Sequence, residues 1–319
     1  MPALVWRPLT KADAQSSADL LNAIETADRI GENYTAADTL QELNDPFSDL
    51  ERASLAAFDG DRMVGYVKTR YKQNPEEVHR VFLDGGVHPD YRRQGIGTRL
   101  VEAGIAGAKT VHELHHPTLK LAIDIHKAEH IAGTKELFAA QGFSPARYFQ
   151  RMEHPLGTVG EAAIPDGFEV RQWARDIDEE FRLVRNQSFQ DHWAAPPLDS
   201  SAWQNKFTNH NVQPEVSFLL RDKATGTPAS LVLTLSWAAD TEVTGVRDAH
   251  FMVIGTIPGY RKRGLASAVV AHALRAAAEH GYDQASLVVD SASESGAPGV
   301  FERAGFTAKM RYVRWARED

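Results

Sequence analysis

The stretch HPDYRRQGIGTRLVEA, residues 88–103, has an echo in IPGYRKRGLASAVVAH, residues 257–272. Each stretch contains a proline, a Tyr-Arg pair, a further basic residue and a glycine. Apolar side chains then recur at the spacing of a helix with one buried face. A chain that carries this pattern twice is typical of two related domains, each built around a strand, a glycine turn and a helix.

The glycine turn is the functional part of the pattern. Glycine lets the backbone approach a ligand without a Cβ in the way. The first N–H groups of a helix have no partner within the helix, and together with the helix dipole they attract an anion. The pattern matches neither the Gly-Lys-Ser/Thr phosphate loop nor the three-glycine dinucleotide motif. The sequence therefore predicts a phosphate-binding loop in each half, called the cradle here, formed by Arg92, Arg93, Gln94, Gly95, Ile96, Gly97 and Thr98 and by Arg261, Lys262, Arg263, Gly264, Leu265, Ala266 and Ser267.

The repeat extends over both halves of the chain. Each half reads as a short strand, a helical region (Ala12–Ala27 or Asp178–Phe189), a hairpin and the strand before the cradle. After the cradle helix come another strand, a helix, a Gly-Phe pair and a closing strand. Strands and helices in this mixed order predict an α/β fold with an α+β mixed sheet. We expect domains at residues 1–153 and 168–319, joined by a Pro- and Gly-rich linker at 154–167.

Composition narrows the class of protein. The 319 residues include no cysteine, which excludes disulfides and thiolate chemistry. The formal net charge of −8 disfavours general binding to nucleic acid, which requires neutralisation of phosphates. Neither a signal-peptide pattern nor a membrane-length apolar run is present, so a cytoplasmic location without membrane contact is expected. The oligomeric state stays open, and a monomer with an internal duplication fits.

The two cradles also carry a resemblance. Arg92-x-x-Gly95-x-Gly97 and Arg261-x-x-Gly264-x-Ala266, each closed later by Gly-Phe, resemble the motif of the GNAT N-acetyltransferases. The resemblance implies acetyl-CoA as cosubstrate, with its pyrophosphate on the cradle amides.

The resemblance also implies that the strand before each cradle separates from its neighbour at a bulge. Gly85-Gly86 and Gly255 fit such a bulge. The amide of Val87, or of Thr256, would then hold the acetyl carbonyl.

The tandem plan is similar to that of the mycothiol synthases within this family. It departs from them before each Gly-Phe pair, where the family often has a tyrosine that protonates the leaving thiolate. Phe138 and Phe301 stand at those positions.

Acetyl transfer to an amine requires a base, because only a neutral amine attacks. His250 is one candidate, with a solvent-exposed strand end as its alternative role. Asp84 could serve the first copy or be an exposed carboxylate. Tyr148 and Tyr312 could act as acids or pack in the core. Asp290 could bind the substrate amine or cap a turn.

Two further features remain open at the level of sequence. HELHH, residues 112–116, matches a zinc-protease motif, but Pro117 follows at once, so helix-end histidines without a metal are expected. Trp193 and Trp203 lie where the family commonly has an acceptor lid, and they could line a substrate pocket or form a core.

The sequence thus predicts an N-acetyltransferase that moves acetyl from acetyl-CoA to a primary amine of a small molecule or peptide by direct attack. The second copy is favoured as the catalytic half because it offers His250 and an aromatic lid. The alternatives are a non-catalytic acyl-CoA-binding or regulatory protein, and acetylation of an amino-sugar conjugate in the manner of the mycothiol synthases.

Overall fold

A computed structural model describes residues 4–71, 75–157, 159–160, 163–190, 195, 197–207, 209–292 and 296–318. Trp193 lies outside these residues. The strands are β1 Val5–Arg7, β2 Ser54–Asp59, β3 Arg62–Tyr71, β4 Val78–Val87, β5 Lys120–Ala128, β6 Ser144–Pro155, β7 Phe168–Gln172, β8 Phe218–Asp222, β9 Pro228–Leu235, β10 Asp248–Thr256, β11 Gln284–Asp290 and β12 Thr307–Glu318. The helices are α1 Ala14–Asp28, α2 Ala36–Leu43, α3 Ile96–His115, α4 Thr134–Ala140, α5 Asp178–Ser188, α6 Ser200–Phe207, α7 Ala238–Thr244, α8 Leu265–Glu279 and α9 Ala297–Arg303.

The chain divides into two compact units. The first comprises residues 1–148 and 311–319, and the second comprises residues 149–310. Each has a mixed sheet, and the predicted α/β class is confirmed. Among the helices of the described ranges, none is both long and apolar enough to cross a membrane.

The first unit has the strand order β1-β2-β3-β4-β5-β12. The helix α3 packs its apolar stripe, including Leu100 and Ile105, against Val67, Val81 and other buried side chains of the sheet. A smaller cluster around Leu20 and Met63 joins α1 and α2 to β2 and β3. Burial of these apolar side chains supplies most of the driving force for folding.

The second unit follows the same plan, with the order β7-β8-β9-β10-β11-β6. One core cluster lies between α8 and the sheet. Another, around Phe181 and Trp203, joins α5 and α6 to β8, β9 and β10. Sequence patterns predicted α1 and α5 at nearly their observed bounds and a hairpin in each half, but they missed the shorter α2, α6 and α7.

The closing strands are distributed unexpectedly. From Tyr312 opposite Ala128 onward, β12 pairs with β5, and these residues belong to the first unit. The strand β6 pairs with β11 from Phe149 opposite Asp290 to Pro155 opposite Gln284, within the second unit. The compact units thus each contain most of the closing strand of the other copy, and the domain limits of 1–153 and 168–319 stay a prediction.

Each unit contains a gap between two parallel strands, which we call the fork. The strands β4 and β5 pair only from Val78 to Phe82, so the first fork opens beyond the pair of Phe82 and Asp124. The strands β10 and β11 pair only as far as His250 and Ser286, where the second fork opens. The remainder of β4 and β10 stays paired with β3 and β9 alone.

The predicted bulges at Gly85-Gly86 and Gly255 are wrong in position. The β3–β4 register runs without a shift, and the shift in the second unit lies between Phe251 and Val253. Gly86 and Gly255 instead lie where a helix packs closely against the strand. A Cβ on Gly86 would come within 2.6 Å of Ile24 on α1, and one on Gly255 within 2.8 Å of the side chain of Ser188 on α5.

Candidate active sites

The two cradles share one backbone conformation. Arg93 and Gly95 have φ angles of 62° and 81°, and Lys262 and Gly264 have φ angles of 62° and 77°. Alternation of left-handed and right-handed residues turns successive N–H groups towards one point and makes an anion-binding concavity. The N–H groups of the first helical turn add to it, because they lack partners within the helix. The backbone therefore offers an anion site in both units, and binding of a pyrophosphate there stays a prediction.

A tyrosine directly before each cradle fixes the loop to the preceding hairpin. The hydroxyl of Tyr91 donates to Asp59 over 2.6 Å, and that of Tyr260 donates to Asp222 over 3.0 Å. Asp59 and Asp222 each end the first strand of a hairpin. Sequence reasoning missed these bonds, although both hairpin turns begin with an aspartate and the tyrosine directly precedes both cradles.

The first arginine of each cradle is bonded to the protein. Arg92 donates to Val87 O and makes two bonds to Asp28, at 2.7 and 2.8 Å. Arg261 donates to Thr256 O and to Ser188 O. Each guanidinium therefore joins the end of the strand to the end of the first helix of its unit. Contact of these side chains with the coenzyme stays a prediction.

The other cradle side chains also have protein surroundings. The Arg93 guanidinium lies over Gly133, and Gln94 donates to Asp90 O. The Arg263 guanidinium lies over the rings of Phe168 and Tyr260. Ile96 and Leu265 are buried in the cores. The cradle amides are thus available to an anion together with the exposed side chains of Thr98, Lys262 and Ser267.

The backbone edges that face the forks follow from strand alternation. His88 N–H donates to Val64 O across β3, and Ile257 N–H donates to Ala229 O across β9. Because successive residues of a strand point their N–H groups to opposite sides, the N–H groups of Val87 and Thr256 face the forks. The N–H groups two residues earlier, of Gly85 and Ile254, face the same way.

A hydrogen-bond chain lies at the base of the second fork. His250 Nδ1 is 2.8 Å from Ser286 Oγ, and Ser286 Oγ is 2.5 Å from Asp248 Oδ2. An ionised carboxylate only accepts, so the Ser286 hydroxyl donates to Asp248 and His250 Nδ1–H donates to Ser286. The lone pair of His250 then lies on Nε2, which has no hydrogen-bond partner within the described part of the chain. This arrangement leaves a proton acceptor at the base of the second fork.

Burial sets the protonation states of His250 and Asp248 in this hydrogen-bond chain. It lowers the pKa of His250 to about 3, with Arg151 acting in the same direction. It raises the pKa of Asp248 to about 6, against the Ser286 hydrogen bond and Arg151, which lies 3.2 Å away. At neutral pH the histidine is uncharged and the carboxyl ionised. The predicted alternative of a solvent-exposed His250 is wrong, because only 8% of the residue is exposed.

The first fork is different, because a lysine bridges it. Lys127 Nζ donates to Gly85 O over 2.8 Å, from β5 to β4. Burial lowers the pKa of Lys127, and the carboxylates of Asp84 and Glu32 oppose that shift. Asp84, a predicted base, has a half-exposed side chain 3.9 Å from Arg70.

Further polar groups surround the first fork. Tyr34 donates to Glu32 over 2.8 Å, and Lys68 pairs with Glu42 at 3.2 Å. Sequence reasoning missed these residues because they come from three separate segments, the loop between α1 and α2, the helix α2 and the strand β3. Only its position directly after the apolar residues 63–67 could have indicated that Lys68 is buried.

The predicted tyrosine acids both lie in the first unit. Tyr148 packs partly against its core, under the guanidinium of Arg311 at 3.9 Å. Tyr312 stands opposite Ala128 on β5, and not in the unit that its copy of the repeat predicts. Phe138 and Phe301 are buried beside Phe143 and Phe306, so these two positions serve packing.

The predicted substrate residues have separate outcomes. Trp203 is 1% exposed and its indole N–H donates to the carboxylate of Asp178, which matches the core alternative, and its contact with substrate stays a prediction. Asp290 is buried at the end of β11 and accepts from Ala292 N–H, which matches the capping alternative. A contact of Asp290 with substrate stays a prediction.

The HELHH segment lies at the end of α3, far along the sequence from the cradle. His112 Nδ1 is 3.1 Å from Nδ1 of the fully buried His79, at the opposite end of β4 from Val87. Burial lowers the pKa of His79 to about 4, and His116, His112 and His115 add to the effect. Across the described ranges, no three His, Asp or Glu side chains are arranged to hold a metal ion.

A forked mixed sheet with an anion cradle at the head of the next helix, present twice, defines a tandem acyltransferase fold. The chain belongs to the Acetyltransferase (GNAT) family, whose model matches residues 19–130 and 172–306, more than half of its length. It is therefore an acetyltransferase, and its acetyl donor is acetyl-CoA. This membership sets aside the alternative of a non-catalytic binding protein.

Relatives extend over both units. The mycothiol acetyltransferase of Salinispora arenicola is 26% identical over 322 residues, which is 96% of this chain and 95% of that protein. The mycothiol acetyltransferase of Thermobispora bispora is 29% identical over 262 residues, 79% of each chain.

Solved structures share the tandem fold. A GCN5-related N-acetyltransferase from Sphaerobacter thermophilus has a TM-score of 0.74 at 22% identity and covers 99% of this chain and 95% of its own. A tandem GNAT protein from the clavulanic acid biosynthesis pathway has a TM-score of 0.72 at 16% identity, covering 99% and 98%. At these identities the likeness supports the fold alone.

Proposed function

We propose that the protein acetylates a primary amine of a small molecule in its second unit, by direct attack of the amine on the thioester. The observation that carries this proposal is the chain from His250 through Ser286 to Asp248, placed where β10 and β11 separate. No covalent enzyme intermediate is needed, and the sequence offers no cysteine to form one.

The residues of this unit have distinct roles in the proposal. His250 Nε2 takes the proton of the incoming amine, directly or through one water. Ser286 and ionised Asp248 hold the tautomer that leaves Nε2 free and stabilise the imidazolium that forms, which offsets the low basicity caused by burial. The amine lone pair attacks the carbonyl carbon, the C–S bond breaks, and its electron pair leaves on the sulfur of coenzyme A.

A backbone amide of β10 holds the carbonyl oxygen as negative charge develops on it. Resemblance assigned this role to Thr256. We assign it to Ile254 N–H, which faces the same fork and stands two residues closer to His250. Two residues of strand correspond to about 7 Å, so this choice shortens the distance between the carbonyl and the base.

The acceptor belongs to this proposal as well. The relatives from Salinispora arenicola and Thermobispora bispora are mycothiol acetyltransferases, and they match most of this chain. We therefore favour the amine of an amino-sugar conjugate over a peptide amine. The missing tyrosines at Phe138 and Phe301 leave protonation of the departing thiolate to water.

The test measures release of coenzyme A thiol from acetyl-CoA with a panel of simple alkyl amines, amino sugars, a mycothiol-type amino-sugar conjugate without its acetyl group, and peptides. We expect the conjugate to give the highest kcat/KM. His250→Gln should lower kcat by about 10²-fold or more, and Asp84→Asn should leave the second unit competent. The opposite result, loss with Asp84→Asn and not with His250→Gln, would move the chemistry to the first unit.

A further inference from the structure

The first fork holds an amine of the protein itself. Three residues beyond the last parallel pair of each unit, β5 carries Lys127 and β11 carries Val289. Val289 is buried in the core cluster of its unit. Lys127 instead extends its ammonium group across the gap to Gly85 O, at 2.8 Å. The two forks therefore differ in the one position that crosses the gap.

The contact places this amine beside the position of a bound thioester. Gly85 C=O lies on the fork-facing edge of β4, between the N–H groups of Gly85 and Val87. Whichever of these N–H groups holds an acetyl carbonyl, the carbonyl carbon lies beside the atom that Lys127 Nζ already contacts. Adjacent positions along one strand edge are about 7 Å apart or less.

The acetyl donor reaches the same edge from the cradle. Val87 is followed by the loop that contains Arg93 and Gly95, whose left-handed residues form the anion site of the first unit. The path from cradle to fork is therefore the same in the first unit as in the second. In the second unit it leads to His250, and in the first it leads to a lysine side chain.

We propose that Lys127 is a self-acetylation site, modified by acetyl-CoA bound in the cradle of its own unit. The inference rests on the proposed path of acetyl-CoA into the fork. The ammonium first releases a proton to solvent, which burial in the fork favours. The neutral Nζ then attacks the carbonyl carbon and forms an N–C bond, while the C–S bond breaks and the thiolate takes up a proton to leave as coenzyme A.

Acetylation at this position changes the first unit. The ammonium group becomes an uncharged amide, and its contact with the Gly85 carbonyl keeps at most one N–H. The added acetyl group fills the gap between β4 and β5. The first unit then accepts no further thioester at the fork, and amine turnover takes place in the second unit.

The experiment incubates the full chain with acetyl-CoA labelled with heavy carbon and maps acetyl-lysines by mass spectrometry. Lys120 is an internal control, since it is exposed on the same strand. We expect a heavy acetyl group on Lys127 at close to one per chain, little on Lys120, and a rate that does not depend on protein concentration. Gly95→Ala, which strains the cradle, should slow the labelling about tenfold, and Gly264→Ala should not.

The outcomes separate the two proposals. Titration calorimetry with acetyl-CoA on the wild type and on Gly95→Ala reports whether the first cradle binds the coenzyme. Binding there without label on Lys127 overturns the self-acetylation and leaves the amine acetyltransferase standing. Labelling of Lys120 as fast as Lys127 also overturns it, because general chemical acetylation favours exposed amines. Absence of binding in the first cradle overturns both the path and the modification. Lys127→Arg keeps the cation, and its thermal unfolding should match the wild type.

Discussion

The carboxyl of Asp248 sets the direction of the hydrogen-bond chain in the second fork, and it makes acetyl transfer depend on pH. Its pKa is raised to about 6. When it is protonated, it donates to Ser286, the serine donates to His250 Nδ1, and Nε2 carries the proton. The base is then lost. Acetyl transfer that depends on this hydrogen-bond chain is present above pH 6. It falls as the pH drops through 6, to about one tenth at pH 5.

Asp248→Asn tests this reasoning. The amide N–H of asparagine can donate to Ser286 at every pH, so the variant imitates the protonated carboxyl. We expect kcat/KM at pH 8 to fall about 10²-fold, the lower end of the range for loss of a general base. The variant should also lose the acidic limb near pH 6 that the wild type shows.

The assay is thiol release from acetyl-CoA with one amine, measured for both proteins from pH 5 to pH 8. Ionisation of the amine affects both profiles equally and cancels in their ratio. Glu279→Gln, which removes an exposed carboxylate on α8, should keep the wild-type profile. A wild-type to Asp248→Asn ratio that stays constant across this range would refute the reasoning.

Unfolding does not explain the predicted loss. The folded-state pKa of Asp248 lies above the ordinary value, so its folded form binds a proton more readily than the unfolded chain does. Its contribution to the free energy of unfolding therefore rises as the pH falls from 6 towards 4. Stability from this group and activity from this group change in opposite directions, and a thermal melt at each pH separates them.

Three further outcomes concern the cradles and the core. Gly264→Ala should raise the KM for acetyl-CoA in amine transfer about tenfold, whereas Gly95→Ala should spare it, because a left-handed alanine costs about 1–2 kcal/mol in either cradle. Tyr91→Phe and Tyr260→Phe should each lower the free energy of unfolding in urea by about 1 kcal/mol, since each removes one hydrogen bond to a carboxylate. Trp203→Phe should destabilise the protein by about 1–3 kcal/mol, because the Asp178 carboxylate loses one of its two indole N–H donors and keeps only that of Trp173, with the KM for the amine unchanged.

The cradles could be predicted from sequence because their information is local. The turn from strand to helix needs glycine at Gly95 and Gly264, and the apolar spacing of the next helix is visible within a few residues. The same locality gave the hairpins and the first helix of each unit. The sequence predicts a phosphate contact for Arg92, but it does not reveal its partner Asp28. Only the packing of α1 brings Asp28 close.

The candidate catalytic groups required distant pairs that the sequence does not reveal. His250 could be named, but Ser286 and Asp248 become its partners only through the parallel pairing of β10 with β11. Nothing in the sequence distinguishes Lys127 from other strand residues, because its contact with Gly85 O depends on the opening of the fork. The predicted position of the bulge was wrong because a glycine in a strand can mark either a bulge or a helix that packs closely. Only the contacts with Ile24 and Ser188 show that close packing is the reason here.

The pairing of β12 with β5 has a consequence for biosynthesis. The ribosome completes β5 long before it makes β12, and the whole second unit is translated in between. During that time the emerging first unit exposes an edge with open backbone groups, which is a site for wrong strand pairing. The strand β6, which follows β5 closely in the sequence, could pair with this edge. In the folded protein β6 pairs with β11. The sheet of the first unit is therefore complete only after the whole chain has been synthesised. Contacts of such long sequence separation also form slowly.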